Sequence, residues 1–295
     1  MKIVSYFEQQ NRPAVICLGR FDGLHIGHKK LVDEAKRLKT ILCKESEVCL
    51  FYFKQTGAIG RLNAIFTYEE AVSKFREEGI DKIIVAPLDK EFFSISKEDF
   101  LSGLKQNFSP VAIVCGEDYT FGMNKSGDVN FLKKFCDVNG IILSVVPTVL
   151  YDGKKASSTM VKSFLLKGEV SKANTLLGSP YYIIGNVKKG RGDGSKIGFA
   201  TANIDIDPQK SPLKEGVYKT VTEIDGITYK SVSNYGTAPT FNDTGLKIET
   251  HVLGDPGITY GKSITVYFID YLRDTIKFKS KEQLIKQLKK DIDTL

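Results

Sequence analysis

The chain has no tryptophan, only three histidines, and an odd number of cysteines, five, among 295 residues. Long apolar runs are also missing: the longest, such as residues 48–53 and 141–146, are strand-sized, well short of the roughly 20 residues a membrane-spanning helix needs. No membrane partner is therefore expected. The opening Met1-Lys2-Ile3-Val4-Ser5-Tyr6-Phe7-Glu8 carries neither an apolar run of signal-peptide length nor a small-residue cleavage pattern, so the expected location is the cytoplasm. Cys17, Cys43, Cys49, Cys115 and Cys136 lack metal-ligand spacing, and three of them sit in apolar strand-like runs, as reduced buried thiols do. A basic tail is absent too: the net charge of +7 divides into +4 over residues 1–178 and +3 over 179–295. That even surplus suits small anionic ligands such as nucleotides and gives no reason to expect nucleic acid, which calls for a dense basic stripe. A composition of 42% hydrophobic and 26% charged residues excludes disorder and fibrous structure.

From residue 14 to 150, short apolar strand candidates (14–18, 48–53, 82–86, 111–115 and 141–146) alternate with helix-like stretches near 28–39, 68–78, 96–107 and 129–138. Such alternation predicts an α/β domain with a parallel sheet and helices on both faces. Ligands in these sheets bind beyond the carboxyl ends of the strands, so the first strand-to-helix turn is the first place to look. Residues 157–167 and 169–177 then read as two short helices stopped by Gly168 and by Gly178 with Pro180, and a domain boundary is expected near 178–182. Beyond it come period-two strands at 217–224, 227–234, 247–253 and 263–269, with Asp225-Gly226 as a hairpin turn. They predict an antiparallel sheet or small barrel, closed by a helix over 280–293 with Leu284, Leu288 and Ile292 on one face.

Two of the three histidines stand three residues apart in Gly19-Arg20-Phe21-Asp22-Gly23-Leu24-His25-Ile26-Gly27-His28, directly after the first strand. At a helix start, free backbone N–H groups and the helix dipole favour an anion, and residues three apart share a face. Two imidazoles there can donate to a phosphate while Gly27 allows a nucleotide to approach. Stabilising charge on a pentavalent phosphorus is what nucleotidyl transfer chiefly needs. A pair of surface or capping histidines is the plain alternative; a zinc pair lacks a third ligand of suitable spacing.

These residues resemble the H-x-G-H nucleotidyltransferases, and within them the bacterial bifunctional riboflavin kinase/FAD synthetases, whose first motif has the form G-x-F-D-G-x-H-x-G-H. The resemblance spans almost the whole chain. Gly116-Glu117-Asp118-Tyr119-Thr120-Phe121-Gly122, continuing to Gly127-Asp128, is similar to the family's G-x-D-F-x-F-G segment beside the flavin. Ser157-Ser158-Thr159-Met160-Val161-Lys162 is similar to the S-S-T-x-I-R segment that holds ATP phosphates; its hydroxyls, helix amides and cation suit an anion. The resemblance thus implies an adenylyltransferase ATP site of Gly19, Phe21, Asp22, Gly27, Ser157, Ser158, Thr159 and Lys162, and flavin contacts at Asp118, Phe121 and Gly122. Two departures stand out. Lys162 replaces an arginine and loses its planar two-pronged donor, and Phe51-Tyr52-Phe53-Lys54-Gln55 replaces the family's F-x-P-H-P.

The C-terminal half opens with five glycines between 185 and 198, then Phe199-Ala200-Thr201-Ala202-Asn203. A glycine-rich loop can wrap phosphates with its amides, and a flexible hairpin tip would look the same. Arg191-Gly192-Asp193 within it matches an adhesion tripeptide that recurs by chance. The stretch resembles the riboflavin kinase flap leading to G-F-P-T-A-N, with Ala200 at the proline position. By that resemblance Gly190 and Gly198 belong to the kinase ATP site, and Thr201 and Asn203 offer hard oxygens to Mg2+ and nucleotide phosphate. Asn234-Tyr235-Gly236-Thr237-Ala238-Pro239-Thr240-Phe241 resembles N-x-G-x-x-P-T-F, and Ile248-Glu249-Thr250-His251 the strand of the catalytic glutamate. Glu249 on its own could be the solvated face of a strand; with these motifs upstream it is the expected base for a primary hydroxyl attacking the γ-phosphate of ATP. Leu272-Arg273-Asp274-Thr275 and Phe278 echo L-R-D-E-x-x-F, which carries Arg273 over as a flavin or nucleotide contact, with Thr275 in the glutamate's place.

The expectation is therefore a transferase with two sites: an FMN adenylyltransferase over 1–178, Rossmann-like and of nucleotidyltransferase type, and a riboflavin kinase barrel over 179–295. Its partners would be riboflavin, FMN/FAD and ATP with Mg2+, a weak homo-oligomer being left open. Without tryptophan, any stacking on the flavin falls to Phe or Tyr. The departures leave as alternatives a chain that keeps one of the two activities, or a non-catalytic flavin-binding or regulatory homologue. His25-Ile26-Gly27-His28 also matches the H-I-G-H of class I aminoacyl-tRNA synthetases, but no K-M-S-K-S partner follows.

Overall fold

Five consecutive apolar residues make β2 (Ala14–Leu18) a strand that can be covered on both faces, and the sheet of the first unit is built around it. In a computed structural model, which describes residues 1–54, 63–189, 199–237, 246–254 and 257–295, the chain divides into two compact units. Met1–Leu62 with Tyr68–Ser157 form one, and Asn63–Thr67 with Ser158–Leu295 the other.

In the first unit β2 is joined by β1 (Lys2–Ser5), β3 (Glu47–Lys54), β4 (Lys82–Pro87), β5 (Pro110–Gly116) and β6 (Ile142–Val146). The six strands run parallel in the order β1-β4-β3-β2-β5-β6. Helices α1 (Ile26–Leu42), α2 (Tyr68–Glu77), α3 (Lys90–Phe93), α4 (Lys97–Phe108) and α5 (Val129–Asn139) connect them. α1 buries Leu31, Val32, Ala35 and Leu38, a stripe at helical spacing. Ser96 and Asp128 cap α4 and α5, accepting from the N–H groups of Asp99 and Phe131. After β2 the chain first adds strands on one side, then places β5 and β6 on the other. The switch point therefore lies between β2 and β5, where ligands of such sheets bind. All five cysteines are free thiols. Burial pushes Cys17 up, Cys49 and Cys115 up to about 12, and Cys136 to about 11, so these four are not thiolates.

A small hairpin, β7 (Leu150–Tyr151) and β8 (Lys154–Lys155), ends the first unit. The second begins with α6 (Ser158–Lys167) and α7 (Val170–Leu177). Its six remaining strands are β9 (Tyr181–Lys188), β10 (Ala202–Asp205), β11 (Gly216–Ile224), β12 (Ile227–Thr237), β13 (Leu246–Val252) and β14 (Ser263–Arg273). They close an antiparallel barrel in the order β10-β13-β12-β11-β14-β9. Asp225 and Gly226, both at positive φ, make the two-residue turn between β11 and β12 that matches the twist of the paired strands. The terminal helix α8 (Lys281–Ile292) is capped by Ser280.

Candidate active sites

The turn after β2 delivers His25 to the N-cap of α1, and its side chain makes no capping bond. Leu24, just before it, holds a positive φ of 47°, a backbone conformation that bulky residues avoid and that gathers at functional sites. The imidazoles of His25 and His28 stack with centroids 3.8 Å apart, and His28 also packs on the buried ring of Phe21 at 4.9 Å. A Cβ on Gly27 would stand 3.1 Å from the His25 ring, so glycine lets the ring lie against the helix start. Both histidines are buried, and the Nδ1 of each is buried without a hydrogen-bond partner. An orphaned buried polar atom in a native fold asks for a function. Burial lowers His25 from 6.5 to about 4, against the smaller opposing pull of Asp22, and lowers His28 well below 6.5, with His25 and Lys155 adding to the effect. Both rings are neutral at physiological pH, and each can donate one N–H.

The second motif leaves the carboxyl end of β5, the other strand of the switch point. Asp118 there is ion-paired with Lys155 at the end of β8, and Glu117 accepts from the Thr148 N–H at 3.2 Å. Lys155 thus joins the G-E-D loop, while its charge also reaches His25 and His28. Sequence reasoning missed this residue; the available signal was its position two residues before Ser157. Phe121 is buried, stacked on Tyr119 and packed on Phe100 and Phe131; its ring sits within the core, where it anchors the loop. Gly122, at φ 71°, lies so close to Lys97 that a Cβ would meet that backbone at 2.7 Å. A Cβ on Gly19 would stand 3.4 Å from the Phe21 ring. The S-S-T motif is divided: Ser157 is the last residue of the first unit, while Ser158 and Thr159 open α6 in the second, with Lys162 one turn on.

On the barrel, strand register does what sequence distance hides. Glu249 on β13 faces Asn203 of β10 on one side and Asn234 of β12 on the other, and directly paired residues share a face. Their inward neighbours are fully buried, so Glu249, Asn203 and Asn234 form a row of oxygens on the outer face. Thr275 donates to Asn234 at 3.3 Å. Thr201 lies just before β10, and the segment before it is tied down by His251, which shares Glu249's face: its Nδ1 donates to the Ala200 carbonyl at 2.8 Å and its ring packs on Phe199. Arg273 is engaged elsewhere. Its guanidinium forks onto Asp291 of α8 at 2.6 to 3.2 Å, and that carboxylate is 4% exposed. Gly190, Gly198, Gln55 and residues 238–241 of the N-x-G-x-x-P-T-F stretch lie outside the described residues. Among the described residues no cluster of three His, Cys, Asp or Glu could hold a metal ion.

Residues 7–160 match the family model for FAD synthetase, and 177–295 that for riboflavin kinase. The bifunctional riboflavin kinase/FMN adenylyltransferase of Escherichia coli K12 is 30% identical over 94% of this chain and 90% of its own length. The chain belongs to this bifunctional family. The enzymes of the same name from Haemophilus influenzae and Bacillus subtilis are 29% and 28% identical, over 100% and 96% of this chain and 98% and 92% of their own. A crystal structure of a Streptococcus pneumoniae protein described as a macrolide-efflux protein superposes with a TM-score of 0.89 at 27% identity, covering 99% of this chain and 97% of that one. Among the described residues no helix is long and apolar enough to cross a membrane. The chain is accordingly a transferase of flavin cofactor biosynthesis, with a kinase module and an adenylyltransferase module, each using ATP.

Proposed function

We propose that the two reactions divide at the boundary read from the sequence: residues 179–295 phosphorylate riboflavin to FMN, and residues 1–178 adenylylate FMN to FAD. The observation that carries the reading is the pair of stacked, neutral, under-bonded imidazoles at the switch point of the parallel sheet. In adenylyl transfer, a phosphate oxygen of FMN attacks the α-phosphorus of ATP, and the bond to the bridging oxygen breaks to release pyrophosphate. Charge grows on the α-phosphate oxygens in that step, and what the protein contributes is fixed donors. With Nδ1 buried and unpartnered, the proton is assigned to Nε2 of each ring, an N–H that can be turned on those oxygens. No covalent enzyme intermediate is needed. Gly19, Phe21, Asp22 and Gly27 shape the turn that would receive ATP, Ser157 of the same unit would bind its phosphates, and Asp118, with Gly122 setting the loop, would contact the flavin.

In the kinase reaction Glu249 takes the proton of the ribityl primary hydroxyl as its oxygen attacks the γ-phosphorus of ATP and ADP leaves. Hard oxygens in one row suit Mg2+, which Thr201 and Asn203 would hold together with the nucleotide phosphates. When bound, the ion would neutralise phosphate charge; Glu249 supplies the base and Asn203 the fixed oxygen beside it. Arg273, on β14, is held in an ion pair with Asp291 of α8.

The test is a chromatographic time course with riboflavin, ATP and Mg2+, alongside one started from FMN. FMN followed by FAD in the first and FAD in the second support both sites. FMN that accumulates removes the adenylyltransferase reading, and FAD formed from FMN alone removes the kinase reading.

A further inference from the structure

Small hydroxyls occupy barrel positions where apolar side chains are usual. Thr220, Thr222, Ser231, Ser233 and Thr250 are all at most 1% exposed, on the inward-facing positions of β11, β12 and β13. Their contacts close on themselves. Ser233 donates to Thr250 at 2.8 Å; Thr250 meets Thr222 at 3.4 Å, Thr222 meets Ser231 at 2.8 Å, Ser231 meets Thr220 at 2.8 Å, and Thr220 returns to Ser233 at 2.8 Å. Five hydroxyls make five bonds in a ring, so each can donate once and accept once, with every proton used. Such a closed circuit polarises along its length, and a gap in it strands polar atoms in a dry interior.

The ring also sits on a telling rung. Ser233 pairs with Thr250, and the next rung pairs Asn234 with Glu249. The residues that close the ring inside are thus the chain neighbours of those that form the outer row. A one-residue slip of β13 would turn Glu249 into the barrel and Thr250 out of it, and the ring opposes that slip because it closes in one register only.

We propose that this buried hydroxyl ring is a positioning device for riboflavin phosphorylation: it locks β13 against β12 and so holds Glu249 beside Asn203 and Asn234. The inference rests on the kinase reading of Glu249. It makes Thr220 a positioning residue although β11 pairs with β12 and β14, so its hydroxyl reaches β13 by way of the ring.

The full chain is tested with Thr220→Val, which keeps shape and opens the ring, and Thr220→Ser, which keeps the hydroxyl. The expected result for Thr220→Val is a fall of about tenfold in kcat for riboflavin phosphorylation at nearly unchanged riboflavin KM, since small misplacements of a reacting group act on kcat. Faster amide hydrogen exchange along β13 should accompany it. Thr220→Ser should restore both, and conversion of FMN to FAD should be equal in all three proteins. Wild-type kcat and β13 exchange in a folded Thr220→Val overturn the proposal, as does a Thr220→Ser that loses as much as Thr220→Val. If Thr220→Val does not fold, Ser231→Ala opens the same ring with the least change in volume and is judged by the same two readouts. Should the unaltered chain fail to phosphorylate riboflavin, the kinase reading falls, while β13 exchange still decides the ring.

Discussion

Burying two imidazoles at the head of α1 has a consequence in acid that can be measured without substrate. His25 is lowered to about 4 in the folded chain, chiefly by burial, against 6.5 when exposed. Below 6.5 the unfolded chain therefore takes up a proton that the folded chain refuses, and stability falls with pH until about 4, where both states are protonated. For His25 alone, going from about pH 7.5 to about pH 5 removes on the order of 2 kcal/mol. His28 is shifted in the same direction and adds to the loss. The assay is urea unfolding of the first unit's transition in the full chain at the two pH values, for wild type and for His25→Gln, which titrates in neither state. The variant should lose less stability on acidification by roughly that amount. Equal losses would refute the buried, neutral state of His25, and with it the idea that this ring serves as an uncharged donor.

The remaining predictions concern the two chemistries and their supports. His28→Ala should lower FMN adenylylation by about 10^2 to 10^4 while riboflavin phosphorylation persists, as read from product chromatography; equal loss of both would refute the division of labour. Glu249→Gln should do the reverse, with a comparable fall in the kinase rate and intact conversion of FMN to FAD. Arg273→Leu strands the buried Asp291 carboxylate and should cost about 3 kcal/mol in denaturant unfolding of the barrel; an unchanged midpoint would show that the pair does not hold α8. Gly122→Ala must place a Cβ 2.7 Å from the Lys97 backbone at φ 71°, and a loss of about 1–3 kcal/mol is expected.

Periodicity alone located most of the fold. The strands read at 14–18 and 263–269 and the helices read near 129–138 and 280–293 correspond to β2, β14, α5 and α8, because each is long or apolar enough for its period to stand out. What escaped was short or mixed. β1 is a four-residue edge strand, β10 has four residues and was visible only as a motif, and β9 alternates too loosely after its first three buried positions. The candidate sites were legible as motifs but not as neighbourhoods. Nothing in the spacing of Asn203, Asn234 and Glu249 says that they share a row; antiparallel register decides it. The ion pair of Arg273 with Asp291 left no trace in the sequence because the two lie 18 residues apart, in different elements. Lys155 escaped because it contributes a charge from a two-residue strand, and such hairpins leave no periodic trace.

The places where the chain departs from its family's motifs show how local bonding can stand in for a missing residue. Ala200 gives up the rigid ring of a proline, which by itself frees the unfolded chain and loosens a turn. Yet its carbonyl is held at 2.8 Å by His251, one strand position beyond Thr250 and on the face of Glu249. The segment that leads into Thr201 and Asn203 is thus fixed to the strand that carries Glu249. Thr275 gives up a carboxylate, and its hydroxyl instead donates to Asn234, the cross-strand neighbour of Glu249. That exchange removes a negative charge from the vicinity of the row while keeping a hydrogen bond to it. Both hydrogen bonds therefore bear on the row that contains Glu249 from outside the barrel, on the face of β13 opposite the hydroxyl ring.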